Sequence, residues 1–158
     1  MKIAKADKLY GDLCDVIAQQ STSRRHKVGA VIVDDGLENI IAFGYNGTPR
    51  GWDNNCEMEH DDGTLETKRE VLHAESNALA KVARTTSSAE GSTLYVSLSP
   101  CYDCAKLIHQ AGVVRVVYET DYRIQDGIEF LKQCGVQVDR YERVREEALE
   151  EDLGTQGC

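Results

Sequence analysis

The sequence predicts an α/β fold, a three-layer α-β-α sandwich built on a five-stranded mixed sheet. Two apolar runs of strand length come early in the chain with a turn signal between them, which indicates an antiparallel hairpin. Further along, helix-periodic segments alternate with apolar strands, as is typical of strand–helix–strand units with parallel strands. A sheet that begins as a hairpin and continues in this way is mixed, and its helices cover both faces.

The first half of the chain contains one helix, the hairpin and a long polar stretch. Apolar residues recur at helical spacing from 2 to 20, which predicts an amphipathic helix packed on the sheet. The hairpin strands are 28–33 and 39–45. Residues 46 to about 69 are polar and have no clear period, so we expect a long loop of the kind that usually serves function.

The second half alternates helix and strand, and one domain is expected to span residues 1–158. Residues 142–158 form an acidic tail, in which 142–153 are expected to be a frayed or separately docked helix. The other predicted elements are a helix at 71–84, a strand at 93–98, a helix from Pro100 to about 111, a strand at 113–118, a helix at 125–133 and a strand at 136–141.

Composition and charge exclude several classes of function. The chain has 18 basic and 27 acidic residues, a net charge of −9, which repels RNA and duplex DNA on average and predicts no nucleic-acid partner. No stretch approaches the ~18 apolar residues of a membrane helix, and the first residues carry charges instead of a signal-peptide core. We therefore expect no membrane partner and a cytoplasmic protein, the host cytoplasm if it is viral, in which the six cysteines are reduced.

Two short motifs carry the chemistry, His73-Ala74-Glu75 and Pro100-Cys101-Tyr102-Asp103-Cys104. One imidazole and two thiolates supply three protein ligands and leave the fourth position of a tetrahedral zinc ion open, as catalytic zinc requires. Glu75 is two residues from the histidine, where it can reach a water molecule on the metal and carry its protons. The pair of motifs is the signature of zinc nucleobase deaminases.

The predicted topology brings the two motifs together. Each motif begins a helix, and a helix that runs away from the site followed by a strand that runs back returns the chain to its starting end. The helix N-termini then favour thiolate over thiol. Three alternatives stay open: a redox dithiol at the C-x-x-C, a structural zinc site with Cys134 or His109 as fourth ligand, and a zinc-stabilised binding module without catalysis. An intact Glu75 argues against the module, because structure alone does not require a carboxylate there.

Five segments around these motifs resemble the cytidine deaminase superfamily, and specifically the deoxycytidylate (dCMP) deaminases, including their compact bacteriophage members. The resemblance implies the reaction of dCMP with water to give dUMP and ammonia, feeding thymidylate synthesis. It also implies a homohexamer that is activated by dCTP with Mg²⁺ and inhibited by dTTP. The segments are 27–33, 44–51 (Gly-Tyr-Asn-Gly-Thr-Pro-Arg-Gly), 72–79, 95–106 and 111–113.

The resemblance also implies roles for individual residues. Glu75 is the proton shuttle, and a single Zn²⁺ per subunit is held by His73, Cys101 and Cys104. Asn46 holds the nucleoside, the Ala74 backbone and Ser99 read the cytosine edge, and Tyr122 contacts the substrate. The loop residues Asn46, Gly47 and Arg50 are candidate effector contacts. Independently of the resemblance, the substrate phosphate needs cations, and among those of the loops, which stand out against an acidic chain, Arg25 and Lys68 are the candidates.

Two departures from the family pattern concern the neighbourhood of the base and a second metal. Ser76 follows Glu75 where relatives often carry leucine. Some phage members bind a structural zinc through two cysteines and a distal histidine, but Ser23 occupies the first of those positions here. Cys56, His60 and His26 remain, so we expect one zinc. Other substrates within the superfamily, tRNA adenosine or free deoxycytidine, are the alternative enzyme functions.

Overall fold

The computed structural model describes residues 2–143, and the predicted tail helix, apart from its first two residues, lies outside this range. Within it the chain forms four helices and seven strands. In chain order these are α1 Ile3–Ala18, β1 Gly29–Val33, β2 Ile40–Tyr45, β3 Glu57–Glu59, β4 Leu65–Thr67, α2 Ala74–Val82, β5 Thr93–Leu98, α3 Tyr102–Gln110, β6 Arg115–Thr120, α4 Asp126–Gln133 and β7 Gln137–Arg140.

The main sheet has five strands in the order β2-β1-β5-β6-β7, which confirms the predicted mixed sheet. Strand β1 is antiparallel to both of its neighbours, whereas β5, β6 and β7 run parallel. The parallel strands pair in step, from Thr93 opposite Arg115 to Leu98 opposite Thr120. Their carboxyl ends therefore meet at one edge of the sheet, where α/β proteins usually bind ligands.

Alternating side chains of the central strands fill two cores, one on each face of the sheet. Val31, Tyr95 and Val117 pack with α1 on one face. On the other face, Ile32 and Leu94 belong to the larger core that also contains residues of α2, α3 and α4. The period of two along each strand thus separates the layers, and the predicted three-layer sandwich is confirmed.

Two glycines allow the elements that carry the motifs to approach closely. A Cβ atom on Gly44 of β2 would lie 2.4 Å from the Ala74 carbonyl oxygen, at the start of α2. A Cβ atom on Gly127 of α4 would lie 2.3 Å from the Pro100 carbonyl oxygen. Any larger side chain at these positions would push away the turn that carries His73 or the turn that carries Cys101.

Two predictions about elements need correction. The strand predicted at 113–118 lies two residues later, because Val113 ends the turn after α3 and the register with β5 begins at Arg115. The stretch 46–69 is also not without regular structure, since β3 and β4 form a two-stranded antiparallel hairpin. Each of these strands has three residues and is mostly polar, so no hydrophobic period marked them. None of the helices described is both long and apolar enough to cross a membrane.

Candidate metal centre and active site

The two motifs meet at the carboxyl edge of the sheet, as their spacing predicts. His73 and Cys101 are the N-cap residues of α2 and α3, and Cys104 lies in the first turn of α3. The His73 Nδ1 atom is 3.5 Å from Cys101 Sγ and 3.4 Å from Cys104 Sγ. The three ligand atoms lie within 4.8 Å of one another. Tetrahedral zinc with these ligands needs separations of roughly 3.5 Å between ligand atoms, so the arrangement fits the ion.

The pKa shifts of the two cysteine thiols also suit the binding of a metal cation. Contact with Cys104 lowers the pKa of the Cys101 thiol to about 4. The same contact and burial raise the pKa of Cys104, because a second negative charge next to the first is unfavourable. Two sulfurs in one place thus compete for a single charge, and a divalent cation removes the competition by neutralising both thiolates. The pKa of His73 is raised for a different reason, because the hydrogen bond with Cys101 stabilises the protonated ring.

Glu75 lies beside this centre in the first turn of α2. Its side chain is buried, with 4% of the residue exposed. Burial raises the pKa of the carboxyl to about 7, so the neutral form is stabilised far more than for a surface glutamate. A carboxyl group in this condition can both accept and donate a proton near neutral pH.

A cavity of about 500 Å³ opens next to Glu75 and the metal ligands, and this volume suits a small-molecule substrate. It joins segments that are distant in sequence, since the loop before β1, the β4 strand and the loop after β6 all contribute walls. The lining residues are Ser23, Arg25, His26, Val28, Asn46, Thr67, Val71, His73, Ala74, Glu75, Leu98, Ser99, Cys101, Thr120, Asp121, Tyr122 and Arg123.

Most of the predicted substrate residues line this cavity, but three of the predicted loop residues do not. Arg25, Asn46, Ala74, Ser99 and Tyr122 are all in its wall. Lys68 lies outside it, in the turn after β4, where its backbone N–H bonds the carbonyl of Cys56. Gly47 pairs with Leu72 in an isolated bridge, and Arg50 is exposed.

The polar atoms of Asn46 and Ser99 are already partly used by the protein. The Asn46 Oδ1 atom accepts the Val28 N–H at 2.9 Å, and its Nδ2 donates to the His26 carbonyl at 2.7 Å. One amide N–H of Asn46 is thus left for a ligand. The Ser99 hydroxyl accepts the Tyr122 N–H at 2.7 Å and so fixes the start of the loop that carries Tyr122.

Sequence reasoning missed two charged residues of the wall. Arg123 follows the predicted Tyr122, and its guanidinium carbon lies 6.0 Å from the centre of that ring. A cation directly after a predicted substrate residue was the available signal. Asp121 also lines the cavity, but its carboxylate is paired with Arg140 of β7 at 3.1 Å, which moderates its repulsion of an anionic ligand.

Four of the positions considered for other metal ligands make contacts elsewhere. The Ser23 hydroxyl donates to Glu57 at 2.6 Å, and His60 Nε2 lies 3.0 Å from a Glu66 oxygen. Cys56 Sγ is 3.5 Å from the Thr22 hydroxyl, and the His109 ring packs on Phe130 at 6.1 Å. Within residues 2–143, the one group of three or more ligand side chains with metal-binding geometry is His73, Cys101 and Cys104.

Comparison with known proteins identifies the family. The family model for the cytidine and deoxycytidylate deaminase zinc-binding region matches residues 4–120. The deoxycytidylate deaminase of Enterobacteria phage T4 is 34% identical over 162 residues, covering 78% of this chain and 83% of that protein.

Solved structures agree with this match. The dCMP deaminase of cyanophage S-TIM5 in complex with dCMP and dUMP is 45% identical with a TM-score of 0.80, covering 89% of this chain and 99% of that one. A tRNA:A34 deaminase is 23% identical with a TM-score of 0.55, covering 85% and 97%, and shares the fold. With the zinc-ligand geometry and the family match together, the chain belongs to the cytidine and deoxycytidylate deaminase family.

Proposed function

We propose that this chain is a zinc-dependent hydrolase that converts dCMP and water into dUMP and ammonia. The observation that carries the proposal is one cavity whose wall contains His73 and Cys101 of the zinc-type ligand group, the buried carboxyl of Glu75 and the cations Arg25 and Arg123. That combination suits a molecule with an amidine-like base at one end and a phosphate at the other. The similar proteins from phage T4 and cyanophage S-TIM5 are named as deaminases of dCMP, which supports the same substrate.

His73, Cys101 and Cys104 would hold one Zn²⁺ per chain. When bound, the ion lowers the pKa of a water molecule and so supplies a nucleophile near neutral pH. The three side chains come from two helix N-termini that are fixed by close packing at Gly44 and Gly127. The ligands are therefore held in place before any substrate enters.

Glu75 moves the protons of the reaction. It accepts a proton from the attacking water and delivers it to the ring nitrogen next to the carbon under attack. A carbon–oxygen bond forms as the ring nitrogen is protonated. Glu75 then carries the second proton to the amino group, the carbon–nitrogen bond breaks, and ammonia leaves. Burial beside the ligands keeps this carboxyl away from bulk water throughout.

The remaining wall residues bind and orient the nucleotide. The Ala74 backbone and Ser99 flank the cytosine edge, the remaining N–H of Asn46 is available to the sugar, and Tyr122 covers one side. Arg25 and Arg123 are proposed to face the phosphate. Of the two cations expected from the sequence, we assign the phosphate to Arg25, which lines the cavity, and not to Lys68, which does not.

Regulation and assembly are part of the proposal. We infer a cytoplasmic homohexamer that supplies dUMP for thymidylate synthesis and responds to dCTP with Mg²⁺ as activator and to dTTP as inhibitor. The support is the resemblance of residues 44–51 to the dCMP deaminases. In the structure Asn46 is both part of this loop and part of the cavity wall. An effector that contacts Gly47 and Arg50 would therefore act on a residue adjacent to a substrate contact.

An ultraviolet assay tests the proposal directly. Initial rates would be compared for dCMP, CMP, deoxycytidine and dCTP, with and without added dCTP at low dCMP. We expect dCMP to be deaminated fastest and added dCTP to raise the rate at low dCMP. A protein that fails to deaminate dCMP even with dCTP and Mg²⁺ present would refute the function, and a preference for deoxycytidine would reassign the substrate.

A further inference from the structure

The β3–β4 hairpin contains a buried carboxylate that the proposed mechanism does not use. Glu57 is 3% exposed and does not line the cavity. One of its oxygens, Oε1, accepts three hydrogen bonds from consecutive residues of the loop before β1. The donors are the Ser23 hydroxyl at 2.6 Å, the Arg24 N–H at 2.9 Å and the Arg25 N–H at 3.2 Å. The loop thus wraps around the carboxylate.

The hydrogen bonds from the loop stabilise the charged form of Glu57. Burial alone raises its pKa, but the hydrogen bonds from Ser23 and from the backbone of Arg25 and Arg24 outweigh burial and lower the pKa below its ordinary value. The group is thus ionised at neutral pH, and hydrogen bonds to an ionised acceptor are about twice as strong as neutral ones. The Arg24 Nε atom, 3.9 Å from the second oxygen, offsets part of the charge.

The hairpin holds Arg25 at two points. The backbone N–H of Arg25 donates a hydrogen bond to Glu57. The guanidinium of Arg25 donates another through Nη1 to the Thr67 hydroxyl at 3.0 Å. Glu57 and Thr67 are directly opposite each other in the register of β3 and β4. One cross-strand pair therefore fixes both the backbone and the side-chain end of an exposed arginine in the cavity wall.

We propose that Glu57 is a positioning residue for phosphate recognition, because its carboxylate holds loop 23–25 so that Arg25 faces the phosphate of a nucleoside monophosphate. This inference rests on the proposed function and adds the β3–β4 hairpin to it. An arginine that is held in place loses little conformational entropy when the ligand binds, so fixing the loop strengthens phosphate binding without a direct contact from Glu57. Binding of the base and sugar does not depend on Glu57.

The test compares dCMP with deoxycytidine, which has no phosphate, in the full-length zinc-loaded enzyme. E57Q keeps the shape of the side chain and removes its charge. We expect its KM for dCMP to rise about tenfold, the equivalent of about 1.4 kcal/mol, while kcat and the kcat/KM for deoxycytidine are unchanged. T67V, which removes only the guanidinium contact, should raise the KM for dCMP about threefold.

The matched control is E59Q. Glu59 lies on the same strand, but it pairs with Arg24 Nη1 at 3.1 Å instead of holding Arg25, and its side chain is 58% exposed. We expect E59Q to leave the KM for dCMP as in the wild type. The melting temperature of each variant would be recorded, and if E57Q does not fold, T67V still tests whether the hairpin positions Arg25 for the phosphate.

The outcomes separate this inference from the proposed function. An unchanged KM for dCMP in both E57Q and T67V would overturn the positioning role, as would a parallel loss of turnover on dCMP and deoxycytidine, which indicates a purely structural role. A wild-type enzyme that does not deaminate dCMP would instead refute the proposed function itself.

Discussion

The two ends of the central sheet carry clusters of polar and charged groups that differ in where the partners of those groups come from. At the start of β6, Arg115 is buried and its guanidinium donates two bonds to Asp7, both at 2.8 Å, and a third to Asp139 at 2.7 Å. The Tyr95 hydroxyl adds a bond to Asp7 at 2.9 Å. This cluster ties α1, β5, β6 and β7 together, and its charges are satisfied by side chains of the protein.

The opposite end, at the carboxyl ends of β5 and β6, is built differently. Three zinc-type ligands crowd against one another, and the pKa of Glu75 is raised to about 7 by burial. Here the charges that would satisfy the side chains have to come from a metal and a substrate. The difference teaches that buried polar groups stabilise a fold when their partners are internal, and serve chemistry when their partners are left to a ligand.

Removal of zinc should have the largest effect and should be confined to one end of the sheet. A chelator is expected to abolish deamination while far-ultraviolet circular dichroism stays largely the same, because the Arg115 cluster and the core beneath α1 contain none of the metal ligands. Added Zn²⁺ should restore activity, and elemental analysis should give one zinc per chain. A value near two would contradict the assignment of a single site, and loss of sheet on chelation would contradict the separation of the two ends.

The next largest effect is expected for E75Q. Loss of proton transfer should lower kcat about 10³-fold, which is about 4 kcal/mol. Zinc content should be retained, and the melting temperature should not fall, because a buried ionisable group is removed. D103N is the matched control, since Asp103 lies in the first turn of α3 but is exposed, and it should keep most of its activity. Unchanged turnover in E75Q would refute the role of Glu75 as the proton carrier.

R115M should lower the stability of the protein and leave its turnover unchanged, the reverse of the result expected for E75Q. The variant leaves Asp7 and Asp139 without their buried partner, which should lower the free energy of unfolding by about 3 kcal/mol. The kcat per folded molecule should be unchanged, because the cluster lies at the far end of β6 from the cavity. Denaturant unfolding and initial rates measure the two quantities. K8M, which removes the exposed Lys8–Asp12 pair, should cost only about 0.5 kcal/mol at most.

The smallest effects concern the cations around the cavity. R25Q and R123Q are each expected to raise the KM for dCMP about tenfold, and K68Q should leave the KM unchanged since Lys68 does not line the cavity. The turnover of deoxycytidine should be unchanged in all three variants, because this substrate has no phosphate. Steady-state kinetics with both substrates decide this, and a raised KM in K68Q would return Lys68 to the phosphate site.

Much of the centre could be predicted from the sequence because its geometry is local. Cys101 and Cys104 are three residues apart on one turn of helix, and His73 and Glu75 are separated by one residue at another helix start. The apolar periods marked the elements of the main sheet well enough to bring these two turns to one edge. The family resemblance then selected Asn46, Ala74, Ser99 and Tyr122, all of which line the cavity.

The wall that faces the phosphate could not be predicted in this way. The Glu57 bonds join residues more than 30 positions apart, and neither three-residue strand of the hairpin has a hydrophobic period. Whether Lys68 or Arg123 lines the cavity depends on where the β4 turn ends and on β6 continuing to Thr120, two features that local patterns leave open.

By itself the sequence determined the fold class and singled out the three candidate metal ligands, because these depend on hydrophobic period and on spacings within single helical turns. Only the tertiary structure decided which cations border the cavity, that Glu57 and Thr67 hold Arg25, and that Arg115 closes the far end of the sheet with internal partners. Those features depend on contacts between distant segments, and such contacts are set by packing after the local elements have formed.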